Sequence, residues 1–379
     1  MTNSTNSLPV PVADASAHGL AFAQTVARSE PRLAGRLGLG DGPIEIFDVG
    51  GDLLFYDFPL LVGDRPVGHV RAAADERVGS PGVAVEIGSR SWDPAGATTA
   101  ASRKAETGGA SVTSSRLVCY CYPKIGVELT STASDGQART QIFDVANGSE
   151  VPATPRGDDD HEAARSFLAG VDATMAQAAF AAARTALAPA PAGITPVPLP
   201  TETQQVWLDP ACKKTLGLPM YAQITNFNCV PASAQMMLDH YGWNYPQSQI
   251  ATDMGTNAAA GGTSWSGVVA GISTLTNKTM TVAEPDVSWA KSQQWSFMTT
   301  EIGANRPVFT QMPGHYRVCL GYSITWGLLP LPGGQRPIIA QTIHIHDPWP
   351  WNANVCQGGA DYWESWFNTN VQWFVSLQH

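Results

Sequence analysis

The stretch YAQITNFNCVPASAQMMLDHYGW, residues 221–243, decides how the C-terminal half folds. From Val230 onward, apolar side chains fall at Val230, Ala234, Met237, Leu238 and Tyr241. That i, i+4, i+7, i+8, i+11 spacing predicts an amphipathic helix. Asn228 suits the N-cap, Pro231 is tolerated in a first turn, and Gly242 is a natural stop. Cys229 therefore opens the helix, where free N–H groups and the macrodipole favour a thiolate. The plainer reading of the same residue is a buried cysteine that only packs.

A nucleophilic thiol needs a base, and the base needs a group to orient it. His240 lies about three turns along the same helix, out of reach of Cys229. His315 sits in RPVFTQMPGHYRVCLGYSI, where a strand over 308–311 meets a turn at Pro313 and Gly314 and a second strand runs over 316–322. A histidine opening a strand can lean toward a helix packed on the sheet. Further on, IIAQTIHIHDPWPW alternates as a strand and ends at Asp347 and Pro348. An aspartate at that exit can accept the His315 Nδ1–H and hold its tautomer. His344 and His346 share one strand face and are the rival pair, as metal ligands, although no third ligand stands at metal spacing. Trp349, two residues after Asp347, is expected to shield the His–Asp bond from water. The small-residue loop AAAGGTSWSG, 258–267, would let a substrate backbone approach closely.

The order Cys, His, Asp, with the cysteine opening a helix and the other two on later strands, resembles the papain-like cysteine peptidases. The similar branch is the bacterial one holding the bacteriocin leader peptidases and plant-pathogen effector proteases. Carrying the resemblance are Gln223, six positions before Cys229, the segment NCVPASAQMMLDHYG, GHYRVCLGY around His315, and HDPW around Asp347. The resemblance covers roughly residues 205–379. It implies a papain-like α+β catalytic domain and thiol-dependent hydrolysis of a protein or peptide substrate, with Gln223 as an oxyanion-hole donor beside the Cys229 N–H. It implies no metal or organic cofactor. Asn228 departs from the pattern, since many relatives carry Trp before the nucleophile. Two other readings keep the same residues: acyl transfer to an amine, as in transglutaminases, and a binding protein on a catalytically dead peptidase scaffold.

The chain has 379 residues, a net charge of −10 and only 14% charged residues, with 36 glycines and 28 prolines. Neither half carries a basic excess, which argues against nucleic-acid binding. No apolar stretch approaches the roughly 20 residues a membrane span needs. The start, MTNSTNSLPVPVADASAHG, has neither the basic nor the apolar region of an export signal, so the expectation is a soluble protein, cytoplasmic or exported without such a signal. Six scattered cysteines are too few for a disulfide scaffold. Cys119 and Cys121, two apart on a strand, are expected on one face.

Eleven of the twelve tryptophans follow residue 200, and the break coincides with the proline-rich run over 188–200. Residues 1–190 read as a noncatalytic α+β domain, 191–204 as an extended linker, and 205–379 as the catalytic domain. In the first half, residues 15–37 read as helix, and the runs IEIFDV, LLFYDFPLL, VGHVRAAAD, GVAVEIG, LVCYCYPKIGVEL and RTQIFDV as strands of an antiparallel sheet. His69 is simply a strand residue. The stretch over 95–115 reads as a loop. EAARSFLAGVDATMAQAAFAAARTALA reads as a helix with Asp158, Asp159 and Asp160 at its positive end. A tethered domain without catalytic groups is expected to lie over the cleft as a prodomain or regulator, with self-cleavage over 201–207, the competing reading being a partner- or substrate-binding domain retained in the active protein.

Overall fold

In the computed structural model the strands expected in both halves join into one sheet. The structure describes residues 9–187 apart from 135, 158 and 159, and residues 213–378 apart from 284–290, 332–333, 353–356 and 369–372. The proline-rich linker, the 201–207 cleavage region, Cys212 and Cys356 lie outside the described residues, as do Asp158 and Asp159.

The strands are β1 (Leu37–Leu39), β2 (Ile44–Asp48), β3 (Leu53–Val62), β4 (Arg65–Ala73), β5 (Gly82–Ile87), β6 (Ser111–Cys121), β7 (Lys124–Thr132), β8 (Ala138–Asp144) and β9 (Glu150–Val151) in the first half. The second half adds β10 (Lys213–Thr215), β11 (Thr281–Ala283), β12 (Val308–Met312), β13 (His315–Leu331), β14 (Gly334–Asn352), β15 (Gln357–Ser365) and β16 (Trp373–Gln378). Their order is β11-β16-β12-β13-β14-β15-β5-β4-β3-β2-β6-β7-β8-β9, with β1 beside β3 and β10 beside β13. The β2–β6 pair is parallel and the other described pairs are antiparallel. The halves meet where β15 pairs with β5, Tyr362 opposite Glu86 and Trp363 opposite Val85. This is a mixed α+β fold with a mostly antiparallel sheet.

Seven α-helices are described: α1 (Val12–Ala27), α2 (Pro94–Thr107), α3 (Ala173–Leu187), α4 (Cys229–His240), α5 (Gln247–Asp253), α6 (Trp265–Leu275) and α7 (Lys291–Gly303). None is long and apolar enough to cross a membrane. Helix α1 buries Phe22 and Val26 against β4 and β5. It lies so close to Gly82 that a Cβ there would fall 2.3 Å from the Phe22 side chain. The helix ends at Ala27, short of the expected 37, because Pro31 starts a separate short turn.

Helix α4 is buried nearly all round, and Val230, Met237 and Leu238 share a core with Phe309, Tyr316 and Val318. The expected stop at Gly242 holds, at φ 85°. Asn228 occupies the cap position without capping: its Oδ1 accepts from the Thr225 hydroxyl at 2.8 Å.

Three local expectations fail for identifiable reasons. The supposed loop over 95–115 is α2 followed by the start of β6. Asp93 caps that helix by accepting the Gly96 N–H at 2.5 Å, Pro94 stands in its first turn, and Ala101 and Ala105 are buried. The long helix expected from Glu162 begins only at Ala173, because residues 160–166 bond to neighbouring elements instead of to their own turn. Asp160 consequently pairs with Arg156 and does not face a helix end. Cys119 and Cys121 join different clusters, since a bulge between them breaks the alternation.

Replacing the α2 cap, Asp93→Ala, is expected to lower stability by about 1 kcal/mol, whereas the same change in a loop would be neutral. The shift of the urea midpoint at constant slope measures it.

Candidate active site

The site forms where the N-terminus of α4 meets the start of β13. Cys229 is the first residue of α4 and is fully buried. The turn at Pro313 and Gly314, with Gly314 at φ 74°, reverses the chain between β12 and β13 and makes His315 the first residue of its strand. Alternation along β13 then puts Tyr316 and Val318 in the α4 core, while His315 and Arg317 reach the partners of β14 and β15. A β-bulge in β14 after Asp347 breaks its pairing with β15.

His315 and Asp347 are joined by a 2.7 Å hydrogen bond between Nε2 and Oδ1. The bond uses Nε2, not the Nδ1 expected from the sequence. Asp347 also accepts from the Trp349 main-chain N–H at 2.8 Å and from the Tyr362 hydroxyl at 3.0 Å. Burial opposes its charge, yet His315 and Arg317 hold the carboxyl below the ordinary carboxylate range. An ionised Asp347 accepts from Nε2–H, which leaves Nδ1 with the lone pair. His315 Nδ1 is buried and has no hydrogen-bond partner. Trp349 is buried beside the pair, as expected, with its indole N–H donating to Asp144 at 2.9 Å.

Gln223 is buried near the same place. Its main-chain N–H donates to the Pro348 carbonyl at 3.1 Å, and its Nε2 donates to the Thr225 carbonyl at 2.7 Å. The small cavity of 10 Å³ that Gln223 lines also touches Lys124, Glu162 and Trp349. His240, at the far end of α4, bonds the Asn305 carbonyl at 2.9 Å.

Residues 215–371 match the Peptidase_C39 like family, a family of papain-like cysteine peptidases. The matched span takes in Gln223, Cys229, His315 and Asp347 and stops short of the N-terminal half. No curated protein and no solved structure matches the chain.

What the peptidase match does not anticipate is how completely these groups are covered. Cys229, His315 and Asp347 are each 0% exposed. Burial pushes the Cys229 thiol up to about 11, against the pull of Lys124 and of the Tyr316 main-chain N–H. A thiolate at rest, expected from the helix dipole alone, is therefore not the state of the closed chain. Burial likewise pushes His315 down to about 4. Part of the cover is Lys124, a buried residue at the start of β7 whose ammonium donates to the His161 carbonyl at 2.6 Å. Lys124 and His161 carry no signal in the sequence: one stands in a run that reads as strand, the other just ahead of the stretch that reads as helix.

The rival histidine pair has a third neighbour that its sequence spacing hides. Asp361 of β15 stands opposite His346 of β14, and His344, His346 and Asp361 bring ligand atoms within 4.8 Å of one another. His344 Nε2 bonds Asp361 Oδ1 at 2.5 Å, and Arg32 bonds Oδ2 at 2.7 Å. With a guanidinium already on the carboxylate, the group reads as an internal ion-pair network that ties Arg32 and Glu30 to β15. His69 proves to be more than a strand residue, being buried between Asp57 and Glu86.

Two outcomes follow from the burial. Iodoacetamide should modify Cys229 of the full-length chain slowly, with a rate that climbs toward pH 11 and has no plateau below pH 8; peptide mapping reads the modified residue. The second concerns acid. Burial pushes His161 down to about 3, as it pushes His315 and His346 down to about 4, whereas imidazoles of the unfolded chain take protons near 6.5. The unfolded state then binds more protons between these values, so stability falls as pH drops from about 6.5 through 4. His69, held charged by Glu86 and Asp57 despite its burial, opposes this with a single group. The urea midpoint should therefore decline between pH 7 and pH 4.5.

Proposed function

We propose that the chain is a cysteine endopeptidase in which Cys229 is the nucleophile, His315 the base, Asp347 its orienting group and Gln223 an oxyanion donor. The observation that carries this reading is the His315 ring: Asp347 takes its Nε2–H, and the Nδ1 lone pair is left unbonded inside the protein. A base prepared in this way is what nucleophilic catalysis by a thiol requires. The family match over 215–371 supports the same reaction class.

In the reaction the Cys229 proton passes to His315 Nδ1 and the thiolate sulfur bonds the substrate carbonyl carbon. The oxyanion that forms is met by the Cys229 main-chain N–H and by the Gln223 Nε2 hydrogen that Thr225 does not use. The C–N bond then breaks as the imidazolium returns its proton to the departing amine. Water, deprotonated by His315, cleaves the thioester and restores the thiol. Asp347 stays ionised throughout and stabilises the imidazolium. The segment over 201–207, just beyond the prolines that block cleavage, is the proposed self-processing site.

Purified protein and its variants, incubated with an unfolded protein substrate, test this by mass-spectrometric mapping of new termini. Cys229→Ala and His315→Ala should abolish cleavage about equally, because nucleophile and base act as a unit. Asp347→Asn should cost less, and Gln223→Ala on the order of 10²–10³ in rate. Loss of activity in His344→Ala with activity kept in His315→Ala would assign the base elsewhere.

A further inference from the structure

A second cleft, of about 440 Å³, opens in the first half, where the turn between β3 and β4 stands beside the end of β5. Pro59, Pro66, Val67 and Ile87 give it apolar walls, and Arg32, Arg65, His69 and Arg90 supply its charge. No carboxylate is among the described residues that line it. That grouping runs against the composition of a chain with 22 basic and 32 acidic residues. The cations are held in place from outside the cleft. Arg90 donates through Nη2 to Asp57 at 3.0 Å and lies over the Trp92 ring at 5.1 Å. Arg32 is bonded to Glu30 and Asp361 through one N–H on each of its three nitrogens. The carboxylates in these pairs do not line the cleft.

Donors remain to be used. A guanidinium has five N–H groups, so Arg32 keeps a second N–H on each Nη. The Arg90 Nε is buried without a hydrogen-bond partner, and so is the His69 Nε2, which stands 3.6 Å from Glu86. Arg65 is exposed and makes no ion pair or side-chain hydrogen bond among the described residues. Guanidinium groups match the geometry of carboxylate and phosphate oxygens, and holding them fixed beforehand lowers the entropy lost on binding. A cleft of this volume, mostly apolar with a few convergent polar groups, is of the size that takes a small molecule. We infer that it binds a small organic oxyanion, a carboxylate or phosphate on a compact apolar body, with the anion on Arg65 and Arg90 and the body against Pro59, Val67 and Ile87. This site is separate from Cys229 and does not depend on the peptidase reading.

Isothermal titration of the full-length chain at neutral pH and low salt tests this, with benzoate, phenyl phosphate, inorganic phosphate and the neutral benzyl alcohol as probes. Benzoate or phenyl phosphate should bind at one site with a Kd of about 1 mM or tighter, and the tighter of the two identifies the head group. Benzyl alcohol lacks the charge and should not saturate. Inorganic phosphate lacks the apolar body and should bind about tenfold more weakly than phenyl phosphate. Arg65→Ala should weaken binding of the aromatic anion about tenfold, and Arg65→Glu should abolish it. Because Arg65 is exposed and unpaired, neither change disturbs a contact that the fold uses. Arg103→Ala, at an exposed position of α2, should leave binding unchanged. No saturable binding of either aromatic anion, or binding unaltered in both Arg65 variants, would overturn the inference. An equal loss in Arg103→Ala would reduce the effect to general charge attraction and overturn the site. Benzyl alcohol binding as tightly as benzoate would overturn the anion, and inorganic phosphate binding as tightly as phenyl phosphate would overturn the apolar body.

Discussion

Asp347 is a carboxylate with no exposure to water, and the architecture around it is what makes that tolerable. An isolated buried charge costs several kcal/mol or more, and only good partners offset it. Asp347 has three donors, from His315, Trp349 and Tyr362, with Arg317 beyond them. Each donor arrives from a different place: a strand start, the bulged stretch of β14, and the neighbouring strand β15. Arg317 is in turn held by Tyr362 and by the buried Glu364, both through its Nη1. Removing any one member leaves a charge or a polar group unpaired in the interior, so the geometry of His315 is inherited from the whole cluster.

The same cluster ties the two halves together. Trp349 donates one N–H to Asp347 and the other to Asp144 of β8. Trp363 of β15 pairs across the sheet with Val85 and donates to Glu30. Ser29 of the first half meets Ser323 of β13 at 2.5 Å. A cut in the linker would sever the chain but none of these contacts. Separation of the halves therefore has to break sheet pairing and buried hydrogen bonds.

Burial also explains why the site looks chemically quiet. A helix N-terminus lowers a thiol pKa when the thiolate can be solvated or paired, whereas desolvation acts in the opposite direction. In the closed chain desolvation wins for Cys229, and it wins again for His315 and His161.

Much of this protein is legible along the chain. The helix that opens at Cys229, the strand–turn–strand around Gly314, and the strand leading to Asp347 all follow from local periodicity, turn residues and caps, whose physics extends over a few residues. So does the antiparallel character of the first half. The α2 helix was equally local, signalled by Asp93, Pro94 and the alanines after them, and the small polar residues around it hid the signal. Other features exist only in three dimensions. Asp361 becomes a neighbour of His346 through strand register, and Arg32 reaches it from more than 300 residues away. The choice of Nε2 over Nδ1 depends on where the ring lies relative to Asp347, a residue 32 positions away along the chain. Residues 162–167 have helical propensity, but their backbone groups find partners in Asp48, Tyr120 and Pro152, and tertiary hydrogen bonds override a preference worth only tenths of a kcal/mol per residue. Sequence places a thiol at the start of a helix at Cys229, while the fold decides that this thiol is covered, because burial is a property of what packs against a residue and not of the residue itself.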